Sequence, residues 1–255
     1  MISALLIGRK GSVGFPRKNT YPVMGKPLAF YPMKAALDSK EVDKVFLSTD
    51  CEELSSLAAN LKLELIKRPA YLATKKAKGE DAFVHGYRQI VRREGPQELI
   101  VLLFCNSATV NADLIDDGIR LLRKKPDVDS IVSVSKYNMW SPVRARKIDK
   151  DNLLRPFVPI DVFGDPKKLN CDRDSQGDVY FADMSVSVVR PHCLENIEKG
   201  LLPQKWMGQK IYPLVQEAGC DVDYEFQIGQ TEYWLKKHYK KNIDDKKVKT
   251  NEFNH

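Results

Sequence analysis

The chain has 255 residues, of which 43% are hydrophobic and 29% charged, and this composition is typical of one globular domain with room for an insertion. Its formal net charge of +7 is uneven, because the last twenty residues carry seven lysines against three acidic residues, and this argues against a nucleic-acid-binding surface on the folded body. No apolar stretch approaches the ~18 residues that span a membrane, and no signal-peptide pattern is present, so we expect a cytoplasmic protein without a membrane partner.

Short apolar runs and helical patterns alternate over the first 135 residues. They predict strands at 4–7, 44–48, 63–66, 98–104 and 130–135, and helices at about 28–39, 51–60, 80–94 and 112–124. Asp50 and Glu53 have the spacing of a capping box at the start of the second helix. Because the strand runs are continuously apolar, we expect strands that are buried on both faces. The sequence therefore predicts a three-layer α/β fold with a mostly parallel sheet.

The alternation breaks after residue 135. Residues 137–182 are rich in Pro, Asp and Arg and are too long for an ordinary loop. We interpret them as an excursion with its own short strands or as an oligomerisation arm. Regular structure resumes at 185–189, and a last amphipathic helix is predicted at about 225–238. Residues 1–239 would then form a single domain, and the lysine-rich residues 240–255 a flexible tail.

A basic segment with three glycines, GRKGSVGFPRKN (residues 8–19), follows the first predicted strand. It fits neither the GxGxxG dinucleotide motif nor the GxxxxGK[ST] phosphate loop, and prolines interrupt any helix that would follow. Ligands of parallel α/β sheets bind beyond the carboxyl ends of the strands, and glycines let backbone N–H groups approach phosphate oxygens closely. We expect Arg9 and Lys18 to bracket a triphosphate. The alternative is a surface turn whose basic side chains face water.

Two aspartates flank a valine in the segment Asp221-Val222-Asp223. In an extended backbone, two side chains at this spacing share one face. Transfer of a nucleotidyl group needs neutralisation of charge at the phosphates, and Mg²⁺ provides it while binding few carboxylates. We therefore predict that Asp221 and Asp223 bind Mg²⁺ as a cofactor. The alternative is a solvated turn or a helix N-cap.

Several segments together resemble the acylneuraminate (CMP-sialic acid synthetase) cytidylyltransferases. The N-terminal GRKGSVGFPRKN…GKPL is similar to the ARxGSKGxPxKN…GKPL of that family. Further matching segments follow in the same order, namely VFLSTD (45–50), RPAYLA (68–73), VLLFCNSATV (101–110) and CDVDYEFQIGQTEYWL (220–235). The resemblance extends along roughly residues 2–238.

The resemblance implies a three-layer, Rossmann-like nucleotidyltransferase fold with an inserted dimerisation excursion. It implies that the matching aspartates hold Mg²⁺, and that residues 137–182 form a homodimer interface bordering the acceptor site of the partner subunit. The residues predicted to act in catalysis are Arg9, Lys18 and Asp223.

The same resemblance assigns nucleotide contacts along the chain. Arg9 and Lys18 would contact the triphosphate, Ser12 and Asn19 the phosphates or ribose, and Arg68 the cytosine. The full set predicted to bind CTP is Arg9, Gly11, Ser12, Lys18, Asn19, Arg68 and Asn106. Related transferases have an aspartate near the metal at the position of Asn106. An amide there can hydrogen-bond substrate but is a poor Mg²⁺ ligand.

The sequence departs from the family pattern mainly where the acceptor would bind. Phe104 and Val110 stand where the family has Gln and Arg, while Val13 stands where it has Lys and removes one charge from the phosphate loop. Exchanging Gln for Phe removes a hydrogen-bond pair, and specificity depends heavily on such pairs. We therefore predict an Mg²⁺-dependent enzyme that transfers CMP from CTP to an acidic sugar, such as a nonulosonic or ulosonic acid, and releases pyrophosphate. The alternatives are another acceptor such as a phosphonate, another nucleoside triphosphate, or a catalytically inactive nucleotide-binding homologue.

Overall fold

The structure, a computed structural model, describes residues 1–11, 14–170, 172 and 177–251, with side chains as far as residue 239. The strands are β1 (Ile2–Ile7), β2 (Pro22–Val23), β3 (Lys26–Pro27), β4 (Lys44–Thr49), β5 (Glu64–Lys67), β6 (Leu99–Phe104), β7 (Ser130–Lys136), β8 (Arg146–Ile148), β9 (Leu154–Pro156), β10 (Tyr180–Val189) and β11 (Ile211–Gln216). The α-helices are α1 (Phe30–Asp38), α2 (Glu52–Leu61), α3 (Gly79–Glu94), α4 (Ala112–Lys124), α5 (Pro191–Glu195) and α6 (Gln227–Asn251).

Seven strands form the central sheet, in the order β11-β7-β10-β6-β1-β4-β5. The neighbouring pairs are parallel except at β10, which runs antiparallel to both β6 and β7. The predicted mostly parallel sheet is confirmed. Because the excursion leaves β7 and re-enters at β10 on the same end of the sheet, these two strands must run in opposite directions. The excursion therefore lies at the same end of the sheet as the carboxyl end of β1.

Helices cover both faces of the sheet, as the three-layer prediction requires. Along β1, Leu6 packs into the cluster under α1, α2 and α4, whereas the adjacent Leu5 packs into the cluster under α3 and α5. Both side chains are fully buried, which is the pattern of a strand covered on two sides. A third cluster joins α6 to the segment around β2 through Trp234, Val222 and Val23. This third cluster brings the C-terminal part of the chain beside the N-terminal loop.

The bounds of the elements differ from prediction in a few places. The strand β11 was not predicted, because Pro213 interrupts its pattern, but a proline is tolerated there since β11 lies at the edge of the sheet. The strand β10 begins at Tyr180, so the last residues of the predicted excursion belong to the sheet. The short strands expected within the excursion are present as the antiparallel hairpin β8-β9. The last helix extends to Asn251 rather than ending at 238. None of the described helices combines the length and apolar character that a membrane span needs.

The predicted capping box at α2 is wrong. The N-cap residue is Cys51, and its side chain makes no capping hydrogen bond. The Asp50 carboxylate instead accepts a hydrogen bond from the backbone N–H of Lys10 at 2.9 Å. A carboxylate placed one residue before the N-cap can reach the neighbouring loop more easily than the first turn of its own helix, so Asp50 anchors the loop after β1.

Gly86 is expected to be intolerant of substitution because α3 lies very close to β1 at this residue. An added Cβ would lie 2.7 Å and 2.9 Å from the terminal carbons of Leu5, which is fully buried. Gly86→Ala should therefore lower the free energy of unfolding by about 1–3 kcal/mol through overpacking. In the matched control Gly229→Ala, in α6, the new methyl meets no atom within 4 Å and should stabilise by about 0.5–1 kcal/mol. Urea unfolding measures both, and equal effects would contradict this packing.

Candidate functional site

A cleft of about 400 Å³ opens at the carboxyl ends of β1, β5 and β6. Its walls come from the basic loop (residues 8–19), from the segment between β5 and α3, from the end of β6 and from the carboxylate segment (residues 221–223). The lining residues include Gly8, Arg9, Gly14, Lys18, Asn19, Arg68, Leu72, Ala77, Lys78, Gly79, Phe104, Asn106, Asp223 and Tyr224. This position, beyond the carboxyl ends of parallel strands, is where ligands of open α/β sheets bind.

Hydrogen bonds hold the basic loop in place. Besides the bond from Lys10 to Asp50, the side-chain amide of Asn19 donates to the carbonyl oxygen of Arg9 at 3.4 Å. The carbonyl oxygen of Asn19 in turn accepts from the backbone N–H of Ala29 at 2.9 Å. Asn19 thus ties the two ends of the loop to each other and to the start of α1.

Asn106, just beyond β6, holds the carboxylate segment. The backbone N–H of Val222 donates to the carbonyl oxygen of Asn106 at 2.9 Å. The side-chain amide of Asn106 donates to the carbonyl oxygen of Val222 at 3.1 Å and to the carboxylate of Asp221 at 3.4 Å. Val222 is fully buried between the two aspartates. A neutral amide at position 106 therefore positions the carboxylate segment by donating to it.

The basic loop and the carboxylate segment meet across the cleft, although they are 205 residues apart in the case of Lys18 and Asp223. The ammonium group of Lys18 pairs with the carboxylate of Asp223, and the Lys18 side chain is only 14% exposed while that of Asp223 is 57% exposed. A Cβ on Gly14 would lie 3.0 Å from the carbonyl oxygen of Asp223. Glycine at this position therefore lets the loop approach the aspartates closely.

The two aspartates differ in their electrostatic environment. Burial raises the pKa of Asp221, and the nearby charge of Asp223 raises it further, against smaller lowering effects of Lys18 and Asn106. Such a carboxylate gains from a neighbouring cation. No group of three or more His, Cys, Asp or Glu suited to a metal occurs among the described residues. Two carboxylates still fit Mg²⁺, because this ion binds few protein carboxylates and takes its other ligands from water or a bound substrate.

Asp221→Asn is expected to be more stable than the wild type near pH 7 in the absence of divalent cations. Folding raises the pKa of Asp221, so its favourable contribution is present below the unfolded pKa of about 3.9 and is lost as the pH rises through the folded value. The difference from the wild type should therefore shrink in acid. Mg²⁺ should raise the melting temperature of the wild type more than that of the variant. Thermal unfolding at several pH values, with and without MgCl₂, measures the stability difference and the effect of Mg²⁺. An Asp221→Asn variant no more stable than the wild type at neutral pH would contradict the prediction.

A buried polar network supports the carboxylate segment from behind. The backbone N–H of Cys220 donates to the hydroxyl of Thr109 at 2.9 Å, and that of Gly219 donates to the hydroxyl of Ser135 at 2.8 Å. Ser135 donates in turn to the buried carboxylate of Asp183 at 2.8 Å. The strands β7 and β10 thus fix the backbone that leads into Asp221.

Arg68 forms the opposite wall of the cleft. It is 6% exposed, and its Nη2 donates to the carbonyl oxygen of Ser48 at 2.7 Å. Its Nε is buried without a hydrogen-bond partner among the described residues. Burial lowers the pKa of this guanidinium. An orphaned buried donor that borders a cleft can be satisfied by an acceptor atom of a ligand.

Sequence reasoning missed Lys78 and the packing behind Phe104. Lys78 lines the cleft directly before α3, and the basic run KKAKGE (75–80) at the start of a helix could have indicated it. Phe104 presents an apolar ring to the cleft and packs against the buried Phe83 and Trp206, with ring centroids 5.1 Å and 5.9 Å apart. No local sequence pattern predicts this packing, because the three aromatic rings come from separate parts of the chain.

The structure brings most of the predicted site residues together. Those that line the cleft are Arg9, Lys18, Asn19, Arg68, Asn106 and Asp223. Asp221 contacts Asn106 beside the cleft, and Gly11 lines a smaller adjoining pocket on the other side of the basic loop. Ser12 and Val13 lie outside the described residues.

A mostly parallel α/β sheet with a basic loop after its first strand, β1, defines a nucleotidyltransferase-like protein. The chain belongs to the cytidylyltransferase family, whose sequence model matches residues 4–151. This agrees with the resemblance to acylneuraminate cytidylyltransferases found in the motifs.

Individual relatives are similar to this chain at low identity. An N-acylneuraminate cytidylyltransferase of Escherichia coli O18:K1:H7 is 29% identical over 156 residues, which are 61% of this chain and 36% of the relative. N-acylneuraminate cytidylyltransferase A of Danio rerio is 26% identical over 236 residues, 88% of this chain and 48% of the relative. The chain thus spans about half or less of the length of these curated relatives. A solved CMP:2-keto-3-deoxy-manno-octonic acid synthetase complexed with CTP matches the fold with a TM-score of 0.64 at 13% identity, covering 92% of this chain and 98% of that one.

Proposed function

We propose that the protein is an Mg²⁺-dependent cytidylyltransferase that transfers CMP from CTP to an acidic sugar and releases pyrophosphate. The observation that carries this proposal is the meeting of the basic loop with the carboxylate segment, through Lys18 and Asp223, in one cleft at the strand ends. A cation and a pair of carboxylates placed together suit a triphosphate and its metal ion better than either would alone.

The reaction follows from the groups that line the cleft. A hydroxyl oxygen of the acceptor attacks the α-phosphorus of CTP, the bond from that phosphorus to the bridging oxygen breaks, and pyrophosphate leaves. Arg9 and Lys18 neutralise charge on the triphosphate, and Arg68 offers an unsatisfied donor to the base. Mg²⁺ bound by Asp221 and Asp223 would supply further charge neutralisation at the phosphates.

Support for a sugar-acid acceptor comes from the relatives, whose names specify N-acylneuraminate and 2-keto-3-deoxy-manno-octonic acid. Phe104, which lines the cleft and packs against the buried Phe83 and Trp206, argues for a modified acceptor, because an aromatic ring favours an apolar face over a hydroxyl-rich one. We therefore propose that the acceptor is a sugar acid with a deoxy, methyl or acyl group that contacts Phe104.

We also propose that a second copy of the chain covers the excursion. Its side chains include Met139, Trp140, Leu154 and Phe157, each more than 60% exposed. Exposed apolar side chains in one segment favour an interface over solvent. A monomeric mass in sedimentation equilibrium would remove this part of the proposal.

Nucleotide binding tests the chemistry first. With Mg²⁺, calorimetry should show CTP binding about tenfold or more tightly than UTP, ATP or GTP, and Asp223→Ala should weaken that binding. Pyrophosphate release from CTP should then depend on an acceptor, for which N-acetylneuraminate, 2-keto-3-deoxy-manno-octonic acid and a hydroxyalkyl phosphonate are the probes.

Each outcome distinguishes one reading of the cleft from another. Selective binding of another nucleotide would keep the chemistry and change the base. CTP binding without release of pyrophosphate for any sugar acid or phosphonate would favour an inactive nucleotide-binding homologue. Binding of no nucleotide would overturn the proposal.

A further inference from the structure

A second and wider groove, of about 810 Å³, lies along the exposed face of α3. We call it the α3 groove. Asp81, His85, Arg88 and Arg92 line it from the helix, at spacings that place them on one helical face. The segment between β5 and α3 forms the facing wall, and its Leu72 and Ala77 line both this groove and the nucleotide cleft. The α3 groove therefore adjoins the nucleotide cleft on the side of Arg68.

The α3 groove carries an excess of positive charge that the described residues leave without ion-pair partners. Lys76, Arg88 and Arg92 line it, against the single carboxylate of Asp81, and none of the three cations has an acidic partner within 4 Å in the described part of the chain. Arg93 on the same helix does not line the groove, and its guanidinium donates a hydrogen bond to the carbonyl oxygen of Leu65 at 3.0 Å. A concave surface with several unneutralised cations concentrates anions.

His85 lines the α3 groove three positions before Arg88 on the same helix. Its Nδ1 is buried and has no hydrogen-bond partner among the described residues. Burial lowers the pKa of His85, and the charges of Arg68, Arg92 and Arg88 lower it further. The positive potential that disfavours a proton on this imidazole favours a negatively charged ligand beside it.

The groove is distinct from the site of the transfer reaction. Neither the basic loop nor the carboxylate segment contributes to its lining. Apolar Val84 and Ile197 also line it, together with Tyr71, Thr74 and Gln89, which offer neutral hydrogen-bonding groups. A groove lined by cations and neutral hydrogen-bonding groups suits a compact ligand with a short chain of oxyanions. It suits a long nucleic acid less well, since such a strand would need basic side chains beyond the groove as well.

We propose that the α3 groove is a binding site for a small polyanion with several phosphate or carboxylate groups, separate from the nucleotide cleft. Arg88 and Arg92 bind it as planar forks, Lys76 closes it from the facing wall, and His85 completes its hydrogen bonds. This inference does not depend on the chemistry of the nucleotide cleft.

The test uses inorganic tripolyphosphate as the probe and the full chain with Arg9→Gln and Lys18→Gln, which weakens the nucleotide cleft. Calorimetry on this background should show one site. Adding Arg88→Gln and Arg92→Gln should weaken it by about tenfold or more. The matched control adds Lys40→Gln and Lys124→Gln, which remove equal charge near the helices on the other face of the sheet, and should change the affinity less than twofold.

A local readout comes from the imidazole resonance of His85, identified by its loss in His85→Gln. Tripolyphosphate should shift this resonance at the concentration that saturates the calorimetric site. Three results would overturn the proposal: no binding once Arg9 and Lys18 are replaced, equal weakening by the two charge-matched pairs, or displacement of the probe by a single-stranded oligonucleotide at equal phosphate concentration.

Discussion

Replacing Lys18 with methionine is expected to lower kcat/KM for CTP by about 10²–10³-fold. The Lys18 side chain is largely buried against Asp223 at the edge of the cleft, where its charge is screened less than at an open surface. Methionine keeps the length of the side chain and removes only the ammonium group. The proposed triphosphate substrate then loses a fixed positive charge. The stabilisation by this charge would grow as negative charge builds up on the departing pyrophosphate. Steady-state kinetics with the acceptor identified by the screen measures the loss.

The neighbouring Arg17 provides the control. It carries the same charge, but its guanidinium is paired with Glu53 at 2.7 Å and its side chain is 76% exposed. Arg17→Met should change kcat/KM by less than about threefold, because an exposed ion pair contributes little. Comparing kcat and KM separately for the two variants distinguishes an effect on substrate binding from an effect on catalysis. If Lys18→Met leaves kcat/KM unchanged, or if Arg17→Met is equally damaging, the role assigned to Lys18 is wrong.

Asp183→Asn is expected to lower the free energy of unfolding by about 2–4 kcal/mol, because it removes the charge from a buried carboxylate that only donors surround. Asp183 is 4% exposed and accepts hydrogen bonds from the hydroxyls of Ser133 and Ser135, the amide of Gln216 and the backbone N–H of Ser185. An asparagine would direct a donor group at donors. For a chain of this size the melting temperature should fall by roughly 5–15 °C.

The matched control is Asp178→Asn. Asp178 accepts hydrogen bonds from the side chains of Lys136 and Asn138, but its own side chain is 47% exposed. Its replacement should cost less than about 1 kcal/mol, since water takes over the lost contacts. Chemical denaturation of the wild type and the two variants measures the free energies of unfolding to be compared. Equal stability of Asp183→Asn and wild type would show that the buried network contributes little to the fold.

Much of the fold follows from local sequence. The strands β1, β4, β5, β6 and β7 and the helices α1 to α4 were predicted within a few residues, because continuous apolar runs and helical periodicity are properties of neighbouring residues. The basic loop was also recognisable, since its glycines and cations occur within twelve positions and follow a strand. Chain order then placed it at the carboxyl end of β1. A phosphate-binding hypothesis therefore needed no tertiary information.

Other features depended on contacts between distant residues. Asp50 had the spacing of a helix cap, yet it accepts from Lys10, forty residues away. No strand was predicted at Ile211–Gln216, where Pro213 interrupts the local pattern, yet β11 is accommodated because it lies at the edge of the sheet. The reversal of β10 could not be inferred either, since strand direction depends on which end of the sheet the excursion re-enters.

The candidate site divides in the same way. Sequence by itself was enough for the hypothesis that Arg9 and Lys18 neutralise a triphosphate and that two aspartates bind a divalent ion. The types and local spacing of these side chains suit that chemistry. Only the tertiary structure decided that Lys18 and Asp223 form one ion pair and that Asn106 holds the segment between the aspartates. Such contacts join residues more than a hundred positions apart, so they depend on the packing of the whole sheet and on no pattern within a single segment.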